Sequence, residues 1–74
     1  MPDMREFLVR LRWLARFGRP KEIALLLHNI ARLHDDPRDV AETVKDIRET
    51  FQRRSDSDDL SAFNKELRRL RRKK

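Results

Sequence analysis

The chain has 74 residues, no cysteine, 43% charged residues and a formal net charge of +6. That length makes one domain, close to the lower limit for folding without a staple. The missing cysteines exclude disulfides and thiolate metal sites, two histidines cannot complete a zinc shell, and the longest apolar run, Ile23 to Leu27, is too short to span a bilayer.

Glycine and proline divide the chain. The first helix is predicted over roughly 3–17, closed by Gly18, the only glycine, in a left-handed position. Placed at about 100° per residue, Met4, Phe7, Leu8, Leu11, Leu14, Ala15 and Phe17 share one broad face. Arg5, Arg12, Arg16 and Arg19 form a basic stripe within an arc of about 60°. Val9 and Trp13 lie beside that stripe, one turn apart and off the main apolar face. Trp is usually well buried, so Trp13 is expected inside the fold, under a flanking helix. The alternative is an exposed Trp among arginines, suited to stacking on bases or anchoring a partner.

The second helix is predicted over 20–34, with Pro20 in its first turn. It carries an equally wide face of Ile23, Leu26, Leu27, Ile30, Ala31 and Leu33, which makes it the expected centre of the fold. Leu25 lies outside that arc. His28 and His34 are separated by about 120° on the wheel and do not converge, and His34 is expected at the edge of the core.

Asp36-Pro37-Arg38-Asp39 supplies a cap, a proline at the first helical position and a carboxylate one turn in, so the third helix is predicted over 37–54. Its apolar stripe is narrow: Val40, Val44, Ile47 and Phe51. Asp39, Glu42, Asp46 and Glu49 make an acidic face, with Arg38–Glu42 and Glu49–Arg53 at the spacing of surface ion pairs. That acidity disfavours a helix-turn-helix in which this helix enters a DNA groove.

Ser55-Asp56-Ser57-Asp58-Asp59 is a capping and turn segment that lacks the glycine and glutamate of an EF-hand loop. The fourth helix, 58–72, repeats the narrow pattern with Leu60, Phe63, Leu67 and Leu70. The fold class expected is therefore all-α, a small single-domain bundle of about four helices with short connections over residues 1–74.

The charge is unevenly placed. Residues 1–64 hold twelve basic and twelve acidic residues, whereas 65–74 hold seven basic residues and one acid. Lys65, Arg68, Arg69, Arg71, Arg72 and Lys73 therefore make the strongest candidate for contact with nucleic acid or another polyanion, joined by Arg5, Arg12 and Arg16. Basic residues at a helix end also complement its dipole, and the cluster then serves only to cap and solvate the helix. On that alternative the protein is a protein-interaction or self-associating module, or a designed scaffold with no ligand, and Val9, Trp13 and Leu25 are its partner-binding surface.

No nucleophile–base grouping, phosphate loop or metal cluster is present, so no enzymatic role and no cofactor or metal is expected. Arg5, Arg10, Arg12 and Arg16 break the only region that could serve as a secretory signal, and the expected location is intracellular, cytoplasmic or nucleoid/nuclear.

Overall fold

The Asp36 side chain accepts a hydrogen bond from the backbone N–H of Arg38 at 2.9 Å, with Pro37 opening the helix that follows. This is the cap the residue order predicts. A computed structural model describes residues 4–54 and 58–72. It contains four helices: α1 (Met4–Leu14), α2 (Pro20–Leu33), α3 (Pro37–Arg53) and α4 (Asp58–Arg72). The chain is all-α, as expected. The side chain of Met4, the residues Ser55, Asp56 and Ser57, and Lys73 and Lys74 lie outside the described residues, so the expectations placed on them stop there.

The helices alternate in direction. α1 and α3 run the same way, since Arg5 meets Asp39 near both starts and Arg12 meets Asp46 two turns on. α2 and α4 also share a direction. Lys21 lies beside Ala62 and Lys65, whereas Ala31 and His34 lie beside Arg71 near the other end. The most extensive packing is α2 on α4, while the backbones of α1 and α4 make no close approach. α2 and α3 each meet all three other helices.

One core joins the four helices. Leu8, Leu11 and Ala15 meet Ile23, Ala24 and Leu27 of α2, Val44, Ile47 and Phe51 of α3, and Phe63, Leu67 and Leu70 of α4. Ile30, Val40 and Leu60 pack at its edge. The Phe51 and Phe63 rings lie 5.2 Å apart between centroids at a tilt, a favourable arrangement for their quadrupoles. The narrow stripes of α3 and α4 are thus used almost as predicted.

The wide faces of α1 and α2 are not. Phe7, Leu14, Phe17, Leu26 and Leu33, all placed on the core face by periodicity, are exposed, Leu33 at 74%. With α4 committed to α2, no helix among the described residues covers these side chains. Trp13 is exposed too, at 59%, because α4, the helix expected to cover it, packs on α2 and its backbone makes no close approach to α1. Among the described residues one buried side chain is polar: Thr43 is fully enclosed. Its hydroxyl donates to the Asp39 carbonyl at 2.8 Å and accepts from Arg12 Nη2 at 3.2 Å, so burial leaves it satisfied.

α1 also ends three residues early. Past Leu14 the chain tightens: Arg16 N–H bonds the Trp13 carbonyl and Phe17 N–H bonds the Leu14 carbonyl, three residues back in each case. That change of pitch swings Phe17 off the helical face. Gly18 then donates to the Leu14 carbonyl at 2.6 Å. The left-handed conformation expected of it is not found, since no described residue has positive φ. Glycine gives room instead. A Cβ there would sit 2.8 Å from Ile23 Cδ1 and 3.0 Å from the Leu14 carbonyl oxygen.

Candidate polyanion-binding surfaces

α4 presents its cations to solvent because Phe63, Leu67 and Leu70 point the other way into the core. Lys65, Arg68 and Arg72 follow one another at three- and four-residue spacing along the outer face, and all are exposed. Arg68, Arg71 and Arg72 form no ion pair among the described residues, so their charge is unneutralised by the fold. Arg69 differs. Its guanidinium is held by Glu66 one turn back, and that hydrogen bond raises its pKa further. Arg71 turns toward the end of α2, lining a hollow with His34, Val44 and Arg48. Lys21 of α2 stands beside Lys65, which extends the basic surface across to the neighbouring helix. Lys73 lies outside the described residues.

The basic stripe of α1 has a different fate. Arg5 Nε lies 3.3 Å from Asp39 Oδ2, and Arg12 Nε lies 3.6 Å from Asp46 Oδ2. The acidic face of α3 thus docks on α1, and the surface pairs Arg38–Glu42 and Glu49–Arg53 are not among the ion pairs formed. Asp39 is met from a second side by His34, whose Nε2 lies 3.2 Å from the same carboxylate oxygen. The hydrogen bond from His34, aided by Arg5, holds the Asp39 carboxyl below its ordinary value against the opposing effect of burial. Arg5 and Arg12 therefore serve the α1–α3 seam, and the two basic stripes do not merge, since α1 and α4 stand apart.

Arg16 remains exposed, forms no ion pair among the described residues, and lines an open cleft of about 590 Å³ between α1 and α3. Val9, Trp13 and Leu14 supply its apolar wall, while Arg10, Arg16 and Arg53 stand around it. The Trp13 ring is flanked by Phe17, centroid to centroid 5.2 Å. Leu25, the third apolar candidate, is exposed on α2, outside this cleft. Arg10 and Arg53 are absent from the binding residues expected from sequence. Only the docking of α3 beside α1 brings Arg53 to Trp13.

Arg54 is the other residue that sequence reasoning passes over. Its Nη1 donates to the carbonyls of Ala15 at 3.0 Å and Gly18 at 2.7 Å, its Nη2 pairs with Asp59 at 3.1 Å, and its guanidinium carbon stands 5.2 Å from the Phe51 ring centroid. It is committed to structure and offers nothing to a ligand.

Among the described residues no helix is long and apolar enough to cross a membrane, and no group of three or more His, Cys, Asp or Glu could hold a metal ion. Compared with protein-family models, with curated proteins and with solved structures, the chain matches none.

Proposed function

We propose that this protein is a non-enzymatic helical module that binds nucleic acid or a chemically similar polyanion through the outer face of α4. The observation that carries this reading is the exposed set Lys65, Arg68, Arg71 and Arg72, in which the three arginines form no ion pair among the described residues. Unpaired guanidinium groups on a rigid helix gain most from phosphates, since each contact releases condensed counterions. A nucleic-acid partner would place the protein inside the cell.

The test is a salt titration of binding to duplex DNA, single-stranded DNA and heparin, followed by mobility shift or fluorescence anisotropy. Deleting residues 65–74 is unsuitable, because Leu67 and Leu70 belong to the core. The triple variant Arg68→Gln, Arg71→Gln, Arg72→Gln removes charge alone. It should flatten the slope of log affinity against log salt by about 2 to 3, according to how many of the three sites meet phosphate. No binding at low salt, or a slope unchanged in the variant, overturns the reading. Binding to heparin with none to DNA restricts the ligand to other polyanions.

A second reading rests on a separate observation. Phe7, Leu14, Leu26 and Leu33 are exposed on the two helices that α4 leaves uncovered on one side. Large apolar side chains exposed on neighbouring helices suit self-association or a protein partner. Sedimentation that shows a concentration-dependent dimer, weakened by Leu33→Ser, would favour it. A monomer at all concentrations counts against self-association.

A further inference from the structure

We infer that the α1–α3 cleft is a second binding site, separate from α4, that takes a nucleotide unit of a single-stranded nucleic acid: the base against Trp13, its phosphates toward Arg10, Arg16 and Arg53.

Three observations converge. The first is the aromatic platform. Trp13 is the chain's only tryptophan, more than half exposed, and Phe17 steadies it at a tilt. An indole left open in this way offers a π-face on which any base can stack. The second is charge. Arg10, Arg16 and Arg53 are all exposed and form no ion pair among the described residues, although the acidic face of α3 lies nearby. Asp46, the carboxylate in the cleft, is turned toward Arg12 at 3.6 Å, and Arg12 is steadied by Thr43. The seam thus consumes its own acid and leaves the outer cations for a ligand. The third is continuity. A smaller hollow of about 310 Å³ shares Arg16, Thr50 and Arg53 with the cleft, so a strand leaving Trp13 keeps cationic walls toward the end of α3.

The dimensions distinguish this ligand from a docked helix. An amphipathic helix needs anchor pockets spread over two turns, at i, i+3, i+4 and i+7. Here the apolar wall is Val9, Trp13 and Leu14, little more than one turn of α1. One flat ring with an attached anion fits that wall better than a helix does. The cleft is lined by α1, the turn that follows it and α3, and shares no residue with the α4 surface.

The single tryptophan makes the test direct. Titration of the full chain with an oligothymidylate should quench Trp13 fluorescence saturably, and added salt should reverse the quenching. Trp13→Ala should weaken oligothymidylate binding about tenfold. Both Trp13 and the arginines are exposed, so these variants should keep the helical circular dichroism of the parent. Arg16→Gln with Arg53→Gln should weaken the quenching titration, whereas Arg68→Gln, Arg71→Gln, Arg72→Gln should leave its amplitude intact. That last pair of results separates this site from the one on α4, and either can fail alone. Absence of quenching, quenching indifferent to Arg16 and Arg53, or equal quenching by polyglutamate overturns the inference. The polyglutamate result would assign the cleft to acidic polypeptides instead.

Discussion

Arg54, at the end of α3, donates to the backbone carbonyl of Gly18, in the turn between α1 and α2, across 2.7 Å. The same guanidinium reaches the Ala15 carbonyl and the Asp59 carboxylate. A planar fork with five donors can satisfy three acceptors at once; an ammonium cannot do so in this geometry.

Arg54→Met should therefore destabilise the fold by about 2–3 kcal/mol, since it strands two carbonyls and a carboxylate. Arg54→Lys should recover only part of that loss. Urea unfolding followed by circular dichroism checks both. A cost below about 0.5 kcal/mol would show that water replaces the guanidinium without penalty.

Gly18→Ala should cost about 1–3 kcal/mol through crowding against the buried Ile23 side chain and the Leu14 carbonyl. The order of variants separates space from backbone conformation. If glycine served a left-handed residue, Asn would be tolerated better than Ala. Close approach requires the reverse, with Gly18→Asn the worse of the two. Thermal melts of the two variants decide between them.

Acid should weaken the α1–α3 seam through Asp39. Its carboxyl titrates below the ordinary value of 3.8 in the folded chain, chiefly because of the hydrogen bond from His34. A depressed native pKa means that the unfolded chain binds the proton more readily. The stabilisation is then fully present above about pH 5 and disappears as pH falls through the ordinary carboxylate value toward the native one. Asp39→Asn should show a shallower loss of stability than the parent between about pH 5 and pH 3. An unchanged acid limb would remove Asp39 from the account.

Leu33→Ser should change stability by no more than about 0.5 kcal/mol, because that side chain is mostly in water. Leu27→Ala, six residues earlier on the same helix, should cost about 2–5 kcal/mol. Comparable losses at the two sites would mean that an association in solution covers Leu33.

These contrasts show where sequence suffices. Local signals carry through: Pro20, Asp36 and Pro37 place helix starts, and period alone finds Val44, Ile47, Phe51, Phe63, Leu67 and Leu70. Periodicity fails at Phe7, Leu14, Leu26 and Leu33 because it reports which residues share a face, never whether a neighbour covers it. The exposure of Trp13 turns on the same missing fact, the choice of α2 by α4. One tertiary clue was legible. Arg5 and Arg12 are seven apart on α1, as are Asp39 and Asp46 on α3, a match of register that foretells two helices lying side by side in the same direction. Arg54 gives no such hint, since its partners are main-chain carbonyls that look alike in every sequence. Of the candidate surfaces, the run of basic residues on α4 was plain in the composition, whereas the cleft depends on Arg53 arriving from another helix.

The placement of Arg54 bears on how this small domain comes apart. One side chain at the joint of three helices couples the α1–α2 turn to both α3 and α4. Fraying of any one of them costs the others a bond they cannot remake alone. Helices this short would ordinarily melt piecemeal from their ends. Here the joint favours a single cooperative transition, in which α4 and its cations persist until the whole molecule is lost.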